Sequence, residues 1–215
     1  MSPHRTLALL LPLTVATAAC SEGLTTSTPY AEPAQAAAIA AAPACVDFEL
    51  PLPAGTIWGF SAGQPPLTYV HTENGIRVFT EKFYLMGGGT AYRDARIGLP
   101  PVAFSAGQAA RTLHINLIFD FSGVGFTPSS YTFDYLDVNG VQSYENLRVN
   151  ASGVFIGELD TPPPALAGVP INVAAGPFPV PPIGDRGTLK LGPGIVNRLT
   201  VGGQDLWIDH VCANP

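Results

Sequence analysis

From Cys45 onward the chain consists of short segments in which apolar and polar residues alternate, separated by Gly, Pro and Asn. A period of two is that of a β-strand, and no long segment has the 3.6-residue period of an amphipathic helix. The 23 Gly and 22 Pro, with only 12% charged residues, fit a domain with many turns. The sequence therefore predicts an all-β, jelly-roll-like β-sandwich of two antiparallel sheets.

The N-terminus has the three parts of a signal peptide. His4 and Arg5 form a basic start, an apolar run follows over residues 7–15, and small residues occupy 16–19. We expect a signal peptide over 1–19, a low-complexity linker over 20–42 and the β-sandwich domain over 43–215. The apolar run is too short to span a bilayer as a mature helix.

Thr17-Ala18-Ala19-Cys20 resembles the lipobox of bacterial lipoproteins. In that motif the cysteine after the cleavage site is acylated, which predicts a lipid anchor at Cys20 and a place on the outer membrane or cell surface. Lipoboxes usually carry Leu, Val or Ile where this chain has Thr17. Cleavage at Ala16-Thr17-Ala18, which gives a secreted or periplasmic protein, is therefore the alternative.

The count of three cysteines supports the lipid anchor, because an odd cysteine in an exported protein needs an explanation. If Cys20 carries a lipid, Cys45 and Cys212 remain as a pair that flanks the whole domain. We expect them to form a disulfide that joins the first strand to the last. The alternative is two buried free thiols.

Charge and motifs narrow the range of functions. The net charge is −6 and the arginines are scattered, so a nucleic-acid-binding surface is not expected. The chain also lacks a G-x-S-x-G elbow, an H-E-x-x-H motif, paired C-x-x-C motifs and a P-loop. The absence of these motifs argues against the enzyme classes that depend on them.

Two segments predict a polar surface. In RTLHINLIFDF, predicted as one strand over 112–121, alternation places His114 and Asn116 on the face opposite the apolar residues. In YENLRVN, alternation places Asn146 and Arg148 opposite Leu147 and Val149. If the two strands share a sheet, these four side chains form an open ligand-binding face, joined by Tyr84 or Tyr92. A solvated outer face without a ligand is the alternative.

The two ends of the domain carry a resemblance. Val46-Asp47-Phe48-Glu49 at the start and Asp205-Leu206-Trp207-Ile208-Asp209-His210 at the end resemble the ends of jelly-roll carbohydrate-binding modules. They also resemble β-sandwich domains of secreted PEP-CTERM-type proteins, and the likeness covers most of residues 44–212. The resemblance implies that the first and last strands are neighbours and that a structural calcium ion lies between them.

Carried over to this chain, the resemblance makes Glu49 and Asp209 calcium ligands, with Asp47 as a third. Calcium takes six to eight oxygen ligands, and carboxylates from two adjacent strands supply charge for it. The alternative is that these acids are solvated or cap backbone amides. Trp207 is a candidate sugar platform, because an aromatic ring packs on the apolar face of a pyranose; core packing is its alternative.

These observations favour a non-catalytic extracellular domain that binds a glycan or another extracellular polymer. One alternative is a polysaccharide-cleaving enzyme, which needs two carboxylates. A second alternative is a structural or adhesive protein of the cell envelope. The candidate carboxylates for the enzyme are Asp120, Asp134, Asp137 and Glu145.

Overall fold

The computed structural model describes residues 41–49, 51–101, 104, 107–138, 143–177 and 184–215. The predicted signal peptide, the lipid site at Cys20 and nearly all of the linker lie outside the described residues.

The described residues form β-strands joined by turns, with a single turn of 3-10 helix at Phe60–Ala62. The strands are β1 (Ala44–Val46), β2 (Ile57–Gly59), β3 (Tyr69–Glu73), β4 (Ile76–Tyr84), β5 (Thr90–Ala91), β6 (Asp94–Gly98), β7 (Ala109–Leu113), β8 (Ile115–Asp120), β9 (Ser130–Asp137), β10 (Glu145–Val149), β11 (Phe155–Gly157), β12 (Ala165–Leu166), β13 (Val169–Pro177), β14 (Asp185–Leu191), β15 (Arg198–Gly203) and β16 (Leu206–Asn214).

Within the described residues the strands form two sheets that pack together as a β-sandwich. The first sheet has the order β12-β13-β14-β9-β16-β7-β6-β2, with β1 also paired to β16. The second sheet has the order β11-β10-β15-β8-β4-β3, with β5 also paired to β4. Each pairing between described strands is antiparallel. The predicted fold class is therefore confirmed.

Alternation along the strands builds the core between the sheets. In β9 the side chains of Tyr131, Phe133 and Tyr135 are buried, whereas Thr132 and Asp134 between them are partly exposed. A strand with one dry and one wet face needs this period of two. Most buried apolar side chains of both sheets belong to one contiguous cluster, so the domain has one main core.

The two ends of the domain lie on adjacent strands, as the sequence predicts. β1 pairs with β16, and Cys45 lies directly opposite Cys212. Their Cα atoms are 4.0 Å apart and the two sulfur atoms form a disulfide. The predicted Cys45–Cys212 bond is confirmed.

The prediction of one strand over 112–121 is wrong. β7 ends at Leu113 in the first sheet, and β8 begins at Ile115 in the second sheet. His114 between them has a φ of 51°, a left-handed conformation that breaks an extended strand. The chain therefore passes from one sheet to the other at His114.

Candidate functional site

The predicted ligand-binding strands do share a sheet. β8 and β10 lie on either side of β15, and the register aligns Asn116, Gly202 and Asn146 in one row. Because Gly202 has no side chain, the two amides meet across it, with Asn116 Nδ2 3.1 Å from Asn146 Oδ1.

These amides do not form an open face, which corrects the prediction. Asn116 and Asn146 are fully buried, because the end of β4 crosses over them. Asn146 accepts a hydrogen bond from the Tyr84 backbone N–H (2.6 Å) and donates one to the Tyr84 carbonyl (3.0 Å). Asn116 donates to the Lys82 carbonyl (2.8 Å). These bonds satisfy backbone groups at the end of β4, whereas Asn116 Oδ1 itself has no hydrogen-bond partner among the described residues.

His114 is separated from the amides by the bend between the sheets. Its half-buried ring meets Phe83 edge-on, with ring centroids 5.7 Å apart. Burial, with a smaller contribution from the charge of Arg93, lowers the pKa of His114. Tyr92 donates its hydroxyl to Thr80 Oγ1 at 2.9 Å. Neither ring extends a row of ligand-binding side chains with the amides.

Arg148 remains on the outer face of the second sheet, where its charge is matched. Its Nη2 lies 2.6 Å from both carboxylate oxygens of Glu81, and its guanidinium lies 6.0 Å from the Tyr84 ring centroid. The Arg148 side chain is 20% exposed. It is therefore reachable from solvent but held in place.

Trp207 is covered, so its surface is not available as an open platform. Its residue exposure is 8%, and it packs with Ala109, Leu136 and Phe104 on the outer side of the first sheet. Arg111 lies 5.8 Å from the Trp207 ring centroid and donates two hydrogen bonds to Asp205, each 2.6 Å. The structure thus places Trp207 in a small satellite core.

An aromatic pair on the second sheet, the exposed Tyr69 and the half-buried Phe79, was missed by the sequence reasoning. Tyr69 is 51% exposed, and its ring meets Phe79 edge-on at 5.7 Å. The Arg77 guanidinium lies 5.9 Å from the Phe79 centroid, and Arg77 and Arg198 both contact Asp120. We call Tyr69, Phe79, Arg77 and Arg198 the aromatic–arginine surface. The period-two pattern of IRVF, which places Arg77 and Phe79 on one face, carried this signal.

Two of the three predicted calcium ligands meet at the terminal strands, together with a histidine. One ligand atom each from Asp47, Asp209 and His210 lies within 4.8 Å of the others. His210 Nδ1 is 3.4 Å from Asp209 Oδ2 and 3.5 Å from Asp134 Oδ2. Burial raises the pKa of Asp47, and the charge of His210 opposes that shift.

Glu49 lies apart from this cluster. β1 ends at Val46, and Phe48 has a φ of 56°, so Asp47 and Glu49 do not share a strand face. The Glu49 carboxylate instead accepts a hydrogen bond from the Gln108 backbone N–H at 2.6 Å. With an imidazole present and Glu49 elsewhere, the donors suit a borderline cation such as Zn²⁺ better than calcium, which prefers oxygen.

Comparisons with protein-family models, curated proteins and solved structures found no match. The chemistry of the described side chains is therefore the ground for a functional argument. Within the described residues, no helix is long and apolar enough to cross a membrane.

The four candidate catalytic carboxylates do not converge. Asp120 lies on the outer face of the second sheet, and Asp134 accepts a hydrogen bond from Thr188 on the first. Asp137 and Glu145 do meet: the Ser143 hydroxyl lies 2.7 Å from Asp137 Oδ2 and 3.2 Å from Glu145 Oε1. Both carboxyl groups are buried, and burial together with the charge of Asp137 raises the pKa of Glu145 to about 8.

Proposed function

We propose that the domain binds a glycan or another extracellular polymer, without catalysis, on the aromatic–arginine surface. The observation that carries this proposal is the exposed Tyr69 ring beside Phe79, with two arginines on the same sheet face. Aromatic rings pack against the C–H face of a sugar, and guanidinium groups donate hydrogen bonds to hydroxyl or carboxylate oxygens.

The arginines of this surface have donors to offer. A guanidinium carries five N–H donors. The described bonds of Arg77 use only its Nη2, toward Asp120 and Ser122, and those of Arg198 use only its Nε, toward Asp120. The two side chains are 48% and 61% exposed. Asp120 thus fixes both guanidinium groups at its own position and leaves their other edges toward solvent.

The ligand residues that the sequence predicted have different roles in this proposal: one lies on the binding face and two stabilise it. Arg148 lies on the same outer face, in the row that includes Phe79, Ile118 and Thr200. Asn116 and Asn146 lie on the same face but are covered by the end of β4, which they fix in place. We therefore expect substitution of either amide to lower stability rather than to remove a contact with the glycan.

The test is affinity electrophoresis of the purified protein in gels that contain neutral or acidic polysaccharides, with new reducing ends assayed in the same mixtures. Tyr69→Ala and Arg77→Ala should abolish retardation and leave the fold intact. Phe60→Ala is the matched control, since Phe60 is an aromatic residue 71% exposed outside the second sheet. If wild type is never retarded across the panel, or if Phe60→Ala alone removes retardation, the proposed surface is wrong.

The same mixtures separate the alternatives. Release of reducing ends that stops in Glu145→Gln would establish the enzyme, whose candidate pair is Asp137 and Glu145. The burial of that pair, at 3% and 1% exposure, favours binding over catalysis, because catalytic carboxylates must touch the substrate. Concentration-dependent assembly seen by light scattering, without retardation, would support the structural protein.

We further propose that the protein is exported and anchored through a lipid on Cys20. The Cys45–Cys212 disulfide supports an oxidising compartment, where such bonds form and persist. Cell fractionation tests the anchor: wild type should be found with membranes and Cys20→Ala in the soluble fraction. Equal distribution of the two would leave cleavage at Ala16-Thr17-Ala18 as the better account.

A further inference from the structure

Two arginines share one aspartate on the aromatic–arginine surface. β8 lies between β4 and β15, and the register sets Arg77 and Arg198 on either side of Asp120 in one row. Arg77 Nη2 lies 3.1 Å and Arg198 Nε 3.3 Å from the same oxygen, Asp120 Oδ2. Among the described residues, neither arginine forms an ion pair with another carboxylate. The row therefore has an excess of one positive charge.

The negative charge of this row is covered, whereas its positive charges face solvent. The Asp120 side chain is 3% exposed, and its other oxygen, Oδ1, accepts a hydrogen bond from the Ser122 backbone N–H at 3.0 Å. About half of each arginine side chain is exposed. A molecule that approaches the row from solvent therefore meets guanidinium groups before it meets the carboxylate.

The aromatic side chains lie beside this charged row on the same face. Tyr69 pairs directly with Phe79, which is two residues from Arg77 along β4, a spacing of about 7 Å. Tyr69 and Arg77 are thus diagonal neighbours, within reach of each other's long side chains. A sugar ring that packs on Tyr69 would therefore have a substituent within reach of the Arg77 guanidinium.

The excess charge of this row is local. The chain as a whole has a net charge of −6, so its overall charge repels an anionic polymer rather than attracting it. Arg148, elsewhere on the same face, adds nothing to the excess, because Glu81 matches its charge. Binding of an anion to this face would therefore depend on Arg77 and Arg198, whose planar guanidinium groups suit a carboxylate.

We propose that the ligand of the aromatic–arginine surface is a carboxylated polysaccharide, whose uronate carboxylate binds Arg77 and Arg198 while a sugar ring packs on Tyr69. This inference rests on the proposed function and names the class of ligand for the same surface. The bound carboxylate supplies the negative charge that the row lacks, so that two guanidinium groups meet two carboxylates. A neutral glycan offers hydroxyl groups instead, and hydrogen bonds between ionised partners are roughly twice as strong as those between neutral ones.

Affinity electrophoresis with matched polymers tests the class of ligand. Polygalacturonate, alginate and hyaluronate are each compared with the carboxyl-reduced form, in which every uronate has become a neutral sugar, at a series of concentrations that gives the affinity. At least one of the three should retard the wild type, and its reduced form should bind at least about tenfold more weakly.

The other outcomes separate this inference from the proposed function. Equal binding of the two forms, or retardation by neutral polysaccharides alone, would overturn the carboxylate and leave glycan binding in place. Stronger binding of dextran sulfate than of any uronate polymer would also overturn it, because sulfate would then be the preferred anion. No retardation by any polymer would overturn both proposals.

Variants then locate the carboxylate. Arg77→Gln and Arg198→Gln should each weaken binding of the uronate polymer at least about tenfold and remove most of its preference over the reduced form. Arg77→Lys, which keeps the charge but loses the planar donor, should bind between Arg77→Gln and wild type. Tyr69→Ala should weaken binding of both forms, because its ring contacts the sugar and not the charge.

Arg96→Gln is the matched control, since it removes the same charge from an exposed arginine of β6 in the first sheet. It should bind as wild type does, and thermal melts of all variants check that each is folded in the assay. A loss in Arg96→Gln equal to that in Arg77→Gln, or an unchanged preference for the uronate form in both Arg77→Gln and Arg198→Gln, would overturn the proposal.

Discussion

Asp120 is the residue on which the aromatic–arginine surface depends. Burial by itself raises the pKa of Asp120, but hydrogen bonds from the Ser122 hydroxyl and backbone N–H, with the charges of Arg77 and Arg198, outweigh it and lower the pKa. The folded protein therefore prefers ionised Asp120 more than the unfolded chain does. Such a group contributes stability above the unfolded pKa, near 4, and that contribution is lost as the pH falls.

Asp120→Asn should therefore cost most stability near pH 7 and progressively less toward pH 3. Urea unfolding of both proteins across this range measures the difference. Arg77 and Arg198 would keep their charges but lose the anion between them, so the variant should also bind polysaccharide more weakly at pH 7. A difference in unfolding free energy that stays constant with pH would contradict the assigned pKa shift.

Residue types in the sequence singled out candidate positions but did not predict their neighbours in space. Asp47 and Asp209 were predicted to meet, and they do, because the pairing of the terminal strands brings them together. The sequence did not show that Glu49 lies apart from them, because nothing in it indicates that Phe48 has a left-handed conformation. The burial of Trp207 was not predictable for a similar reason, because the residues that cover it, including Phe104, lie far from it in the sequence.

β15 is the element that holds together the row formed by Asn116, Gly202 and Asn146. It runs between β8 and β10, and Gly202 is the point where the Asn116 and Asn146 side chains cross it. A Cβ at Gly202 would overlap the Ile115 carbonyl oxygen and lie 2.6 Å from Asn116 Oδ1. The neighbouring strand backbone cannot move away without breaking its own ladder, so this close approach requires glycine.

Gly202→Ala should destabilise the protein by about 3 kcal/mol or more, because it overpacks a buried strand and displaces a hydrogen-bonded amide. Gly98→Ala is the matched control: Gly98 also lies in a strand, and a Cβ there meets no atom within 4 Å. Its effect should stay within about 0.5 kcal/mol. Chemical denaturation of the three proteins compares them, and equal stability of Gly202→Ala and wild type would refute the packing argument.

The alternation of apolar and polar residues predicted where strands lie better than it predicted which sheet each strand belongs to. The segment 112–121 has an uninterrupted period of two, yet β7 and β8 belong to different sheets because His114 is left-handed. His114 is not a glycine, so composition gave no warning of the bend. The polar face drawn from that alternation consequently joined residues that the structure separates.

For the whole molecule, the prediction was most successful where it rested on many weak signals at once. Low charge, abundant Gly and Pro and repeated alternation fix a two-sheet sandwich without any knowledge of strand order. Cysteine positions then identify the neighbouring ends. Asp137 and Glu145 were both named as candidate carboxylates, but their meeting through Ser143 was not predicted, because they belong to opposite sheets and come together only when the sandwich closes.

The disulfide acts on the molecule as a whole. Cys45 and Cys212 are 167 residues apart in sequence, so their bond restricts nearly the entire unfolded domain. Loop-closure entropy for such a length stabilises the fold by up to about 5 kcal/mol. It also keeps the three-residue β1 beside β16, where its few backbone hydrogen bonds alone form a weak attachment.

A Cys45→Ala/Cys212→Ala double variant should therefore unfold at a lower urea concentration, with a loss of about 3 to 5 kcal/mol, and reduction of wild type should have a similar effect. Cys20→Ala, which also removes one cysteine, is the control and should leave the midpoint unchanged. Hydrogen exchange of the amides in β1 should accelerate more than that in β9, since only β1 depends on the bond for its place. A loss below about 1 kcal/mol would show that strand pairing alone holds the two ends together.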